Sequence, residues 1–110
     1  MIHQIKIAPC YFREVAEGIK TFEIRKNDRN YQQGDKLVLQ EYNGVLKKYT
    51  GREIVCDVPY IYIGGGLGLD KDYCILSITN VKVTDWHDRL GCKPLGENSY
   101  IKEREQNDRD

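Results

Sequence analysis

The sequence predicts a mixed α/β domain that is mainly β: a small barrel or sharply bent sheet of about five or six strands, with one short early helix closing an opening. Three observations carry this. Strand-like runs of alternating or β-branched apolar residues recur at 20–26, 36–42, 52–63 and 73–83, mostly joined by short turns. Only residues 9–19 have helical spacing, which excludes a four-helix bundle. The chain has 110 residues, 40% hydrophobic and 31% charged, which is enough apolar material for one core and too little length for two domains with a linker.

The elements follow in order. Residues 3–8 alternate polar and apolar and then meet Pro9, the pattern of a short strand running into a helix whose first turn tolerates a missing N–H. Phe12, Val15, Ala16 and Ile19 fall at i, i+3, i+4 and i+7, and Gly18 stands where a left-handed residue closes a helix. Residues 20–26 alternate, which places Phe22 and Ile24 on one face, expected to be the buried one, and Thr21, Glu23 and Arg25 on the other. Gly34-Asp35 is a turn into a third strand, and Asn43-Gly44 a turn out of it. In the long stretch 52–63, Pro59 cannot donate to a ladder, so a bulge or an edge is expected there. The segment 73–83 reads as one strand whose apolar parity shifts near Asn80. Residues 1–83 are the expected barrel domain. Residues 84–110 are the expected C-terminal extension, partly irregular or helical, with Trp86-His87 read as packing residues and Lys102–Asp110 as a charged tail.

Seventeen Lys and Arg balance seventeen Asp and Glu, so the strong global field of a duplex-binding protein is missing. The balance is uneven, with net +4 in residues 1–52 and net −4 in residues 53–110, which permits a basic groove on one side. Cys10, Cys56, Cys74 and Cys92 form no C-x-x-C pair and there are two histidines, so neither a structural metal nor a cofactor is expected. With no signal-peptide pattern and no long apolar run, the expectation is a cytoplasmic protein with reduced thiols and no membrane partner.

The densest polar chemistry lies in residues 18–29. Glu23 and Arg25 share a strand face, and same-face neighbours stand about 6.5–7 Å apart, so they can hold a common ligand or each other. On composition alone a surface ion pair is the more economical reading. Gly64-Gly65-Gly66-Leu67-Gly68 follows a strand but is followed by neither Gly-Lys-Ser/Thr nor a helix, so it is a hairpin tip or a lid and not a phosphate loop. Tyr60, Tyr62 and Tyr73 have the chemistry to stack on bases, although Tyr60 and Tyr62 share parity with Cys56 and Val58, which favours packing for at least one of them.

Gly18-Ile19-Lys20-Thr21-Phe22-Glu23-Ile24-Arg25 matches the G-x-K-x-x-E-x-R signature at all four fixed positions. In this the chain resembles the ASCH (activating signal cointegrator homology) family of PUA-like barrels. The Gly34-Asp35 turn, Tyr49-Thr50-Gly51-Arg52 and the glycine-rich loop resemble its compact bacterial and phage members over roughly residues 2–83. The resemblance implies a β-barrel with a cleft beside the early helix that binds single-stranded RNA or a nucleotide-like small molecule. The ligand residues it implies are Gly18, Lys20, Thr21, Glu23, Arg25, Lys26 and Arg29. Lys20 suits a phosphate or a base carbonyl, Arg25 a two-pronged contact to phosphate or a base edge, and Glu23 an exocyclic amine or a neighbouring cation.

A second subgroup of similar fold hydrolyses N-acylated cytidine-type amides with a lysine in the same cleft and a threonine three residues later. Here Glu23 stands at that position and Thr21 is adjacent to Lys20. An amidohydrolase with Lys20 and Glu23 as catalytic residues is therefore the alternative to a binding protein, and an interaction module with a degenerate cleft is the third.

Overall fold

The computed structural model describes residues 1–85, and the expectations for Trp86-His87, Cys92 and the charged tail lie outside them. Seven strands and one helix follow in the order β1 (Ile2–Ile7), α1 (Pro9–Ala16), β2 (Phe22–Lys26), β3 (Lys36–Asn43), β4 (Lys48–Asp57), β5 (Ile61–Ile63), β6 (Tyr73–Ser77) and β7 (Thr79–Asp85). The described residues are mainly β with one short helix. Among the described residues no helix is long and apolar enough to cross a membrane.

The strands hydrogen-bond as two sheets, β1-β3-β4-β7 and β2-β6-β5, and number seven where the sequence suggests a small barrel or sharply bent sheet of five or six. The count differs because two expected strands each break and change sheet. The stretch 52–63 ends its first ladder at Asp57, and beyond Pro59 the chain restarts as β5 in the other sheet. The stretch 73–83 breaks at Ile78: β6 pairs with β2 and β5, and β7 pairs back onto β4. The second break is eased by Asn80, which takes a left-handed conformation at φ 54° and donates its side-chain amide to Asp57 Oδ2 at 2.8 Å.

β1 runs parallel to β3, from Ile2 beside Lys36 to Ile7 beside Glu41, which places Ile5 and Ile7 on the core face with Leu37 and Leu39. Asn43 accepts the Val45 and Leu46 N–H groups at 3.0 Å each and turns β3 back into β4. A bulge between Gln40 and Tyr42 interrupts that ladder. α1 starts at Pro9, as expected, and buries Phe12 and Val15 completely, packing against β3 and β7. It stops at Ala16, earlier than the periodicity suggested, so Ile19 is left exposed.

The largest correction concerns β2. Glu23 is the buried residue of that strand, at 6% exposure, while Phe22 and Ile24 are 42% and 51% exposed. Glu23 stands across from Leu76, itself next to Ile61, so the face carrying Glu23 and Arg25 is the one turned to the core. Alternation sorted the two faces correctly, but choosing the apolar face as the inner one inverted them. Leu76 and Ile78 are buried as expected, without Phe22 and Ile24.

Candidate functional site

The helix terminus fixes the start of the site. Gly18, at φ +78° with open space around its Cα, lets the chain fold back so that Glu14 O accepts both the Ile19 and the Lys20 N–H, at 2.9 and 3.0 Å. Lys20 is thereby held at the mouth of β2, and its side chain is 14% exposed. Its ammonium donates to Phe22 O at 2.8 Å and to Glu23 Oε1 at 3.3 Å, and lies 5.2 and 5.0 Å from the ring centroids of Tyr11 and Phe22. Glu23 Oε2 is buried and accepts no hydrogen bond. A buried carboxylate with one vacant oxygen can accept from an N–H donor brought by a ligand.

The next two strand positions carry the chain to a cleft of about 310 Å³ between β1 and β2. Its walls include Lys6, Arg25, Lys26 and Arg29, with Gln4 and Gln40 as neutral polar groups, Tyr31 and Tyr49 as rings, and Asp28 as the carboxylate. β1 is the end strand of its sheet, and two of its carbonyls are taken by this wall. An Arg25 Nη donates to Lys6 O, and Arg29 Nη1 donates to Gln4 O at 3.0 Å. Both acceptors are neutral, so neither bond cancels the guanidinium charge. Arg25 Nε is buried without an acceptor. Burial pushes the Tyr31 phenol up, against the opposing pull of the nearby Arg25 and Arg29. Lys6 Nζ sits 4.1 Å from the Tyr42 ring centroid and 5.9 Å from that of Tyr49.

Of the residues singled out in the sequence, Arg25, Lys26 and Arg29 meet in this cleft, whereas Lys20 and Glu23 form a separate pair by the helix and do not line it. Gly18 acts through its conformation. Thr21 is exposed and contributes its carbonyl, which accepts the Ile78 N–H at 3.0 Å. The glycine-rich loop is a self-bonded hairpin tip, with Gly65 N donating to Leu69 O and Leu69 N to Gly66 O, and it does not line the cleft. Among the described residues no group of three or more His, Cys, Asp and Glu side chains is placed to hold a metal.

Lys6, Gln4, Gln40 and Tyr49 were not anticipated as site residues. The signal was present in β1, where Gln4 and Lys6 occupy the polar phase of the alternation. What was missing was the partner strand that faces them. Behind the cleft, β3 and β4 bury an ion pair that the sequence reading also missed. Arg52 donates from Nε and Nη2 to the two oxygens of Glu41 at 2.8 and 3.0 Å, and Thr50 Oγ1 donates to Glu41 Oε1 at 2.6 Å. The guanidinium lies 5.0 Å from the Phe12 ring, tying the pair to α1.

A family described as a domain of unknown function, DUF3850, matches residues 2–78, which span the helix, the cleft and all of β1–β6. The chain belongs to the DUF3850 family. This DUF3850 chain is also similar to an uncharacterised 12.9 kDa protein in the GpA 3′ region of Escherichia phage P2, with 47% identity over 53 residues. Those residues are 48% of this chain and 47% of the phage protein, so the match spans about half the length of that curated relative.

Proposed function

We propose that this chain binds single-stranded RNA or a nucleotide-like ligand in the cleft between β1 and β2, within a PUA-like barrel of the ASCH kind. The observation that carries the reading is the company in the cleft: four cationic side chains and two tyrosine rings around one aspartate, in a chain of zero net charge. Cations there supply the phosphate contacts and rings the stacking that single strands require. The barrel reading is supported by Arg25 and Arg29, which bridge the β2 side to the β1 carbonyls where a closed ladder would otherwise run. A cytoplasmic setting accords with Cys56 and Cys74, buried and unpaired.

Titrating a fluorescein-labelled single-stranded RNA at increasing salt tests it. Two or three phosphate contacts give a log–log slope of about −1.4 to −2, at roughly −0.7 per phosphate. Lys6→Ala plus Lys26→Ala, which leaves both arginine bridges to β1 intact, should weaken binding and flatten the slope. Affinity indifferent to salt and to that double substitution removes the nucleic-acid reading.

The amidohydrolase alternative rests on a different feature, the vacant Glu23 Oε2 beside Lys20. It ranks second because the Lys20 ammonium is already committed to two oxygen acceptors and Thr21 is exposed in the loop before β2. Deacylation of N-acylated cytidines that disappears in Lys20→Ala reverses that order.

A further inference from the structure

The outward face of the β2-β6-β5 sheet meets the cleft only at Lys26 and carries a pattern of its own. The register arranges it in three rows. In the first, Phe22 lies across from Ser77, and Tyr60 is tied to Ser77 by backbone hydrogen bonding at 3.0 Å. The second row is Ile24, Ile75 and Tyr62, and the third pairs Lys26 with Tyr73. Successive rows are about 6.5–7 Å apart along a strand. Each row therefore holds an aromatic ring: Phe22, Tyr60 and Tyr73 are 42%, 58% and 41% exposed, and Tyr62 in the middle row is half-buried.

Two further facts bear on what such a face fits. It has cations at both ends: Lys20 Nζ is 5.0 Å from the Phe22 ring, and Lys26 stands beside Tyr73. It is also continuous with the cleft, because Lys26 belongs to the third row and to the cleft wall alike. Asp70 and Asp72 lie in the adjoining hairpin, at the Tyr73 end. Rings spaced in rows and flanked by cations match a polyanion with stacked planar groups.

We infer that this outer sheet face is a stacking platform for the bases of a single-stranded nucleic acid whose backbone enters at the cleft, with Phe22, Tyr62 and Tyr73 as the ring contacts and Lys26 as the junction. The inference rests on the nucleic-acid reading of the cleft and extends its footprint from a phosphate contact to a run of nucleotides.

The experiment separates bases from phosphates. Binding of a labelled hexauridylate is compared with that of an abasic strand carrying the same phosphates. The parent protein should prefer the base-bearing strand by roughly tenfold or more. Phe22→Ala plus Tyr73→Ala should cut that ratio several-fold and leave abasic affinity unchanged, while Phe22→Tyr plus Tyr73→Trp, which keeps both rings, should retain it. If the parent binds both strands equally, or the double alanine variant keeps the ratio, the platform is refuted while the cleft stands. Binding of neither strand overturns the platform and the cleft together. Ring substitutions that change the protein's mass in solution but not the ratio assign the face to protein contact and refute the platform.

Discussion

Glu41→Ala removes the carboxylate at the centre of the buried β3–β4 network, and its cost can be worked from the contacts. Glu41 is 1% exposed and Arg52 8% exposed, so water replaces little of what is lost. Two guanidinium N–H groups, now at 2.8 and 3.0 Å, lose their acceptors, and so does the Thr50 hydroxyl. Hydrogen bonds to charged groups contribute about 1.5–3 kcal/mol each, and removing one partner of a buried pair costs about 3–5 kcal/mol. The expected loss is therefore about 3–5 kcal/mol, against a total of about 5–15 kcal/mol for a domain. In urea, at about 1 kcal/mol per molar, the midpoint should fall by about 3–5 M with an unchanged slope. Glu41→Met plus Arg52→Met should recover most of the loss, because it removes both desolvated charges together. A Glu41→Ala midpoint within about 1 M of the parent would refute the reasoning, since it would mean the pair contributes no more than an exposed one.

The exposure of Phe22 sets up a contrast in cores: Phe12→Ala should cost about 3–5 kcal/mol, and Phe22→Ala about 1 kcal/mol, by the same denaturation assay. Asp35 supplies the pH dependence. Burial alone would raise its pKa, but hydrogen bonds from the His3 ring at 2.7 Å and the Gln32 N–H at 2.9 Å, with the nearby terminal ammonium, bring it down to about 2 from 3.8. A depressed carboxyl contributes stability that is fully present above the unfolded value and is lost as pH falls through the folded one. Stability should therefore drop by about 2 kcal/mol between pH 4 and pH 2 in the parent, and this component should be missing in Asp35→Asn. An added Cβ at Gly64 would lie 1.9 Å from Asp70 O and 2.6 Å from Tyr73 O, so Gly64→Ala should disrupt the β5–β6 hairpin, seen as early hydrogen exchange at Tyr73 and Cys74. Burial pushes the Cys56 thiol up to about 12, so peptide mapping after brief alkylation of the native protein should find exposed Cys10 labelled and Cys56 unlabelled.

What could be read in advance depended on whether a signal was local. Pro9 and Gly18 bracket the helix because proline and a left-handed residue act at their own positions, and the structure places both where they were expected. Arg25, Lys26 and Arg29 were legible as a charged run, and three neighbours on one short stretch reach the same cleft. The inversion of β2 was not legible, because period-two alternation separates two faces without saying which one meets the core. Hydrophobicity misassigned them, since the inner position is held by Glu23. Lys6 and the Glu41–Arg52 pair were hidden for another reason. Their roles arise from a parallel pairing and a hairpin that bring together residues from distant parts of the chain, and nothing at either position alone announces its partner.

The two arginines that line the cleft also do something for the free margin of β1. An end strand with open carbonyls is a template on which another chain can grow a ladder, and proteins that stay apart blunt such margins. In this fold Arg29 and Arg25 occupy Gln4 O and Lys6 O, so the groups that make the cleft cationic also keep the strand from recruiting a neighbour. The protection of this strand and the cleft's charge are consequently written into the same two side chains. Substituting both should lower the concentration at which the protein aggregates, and relatives that discard the cleft's charge need another way to cap this strand.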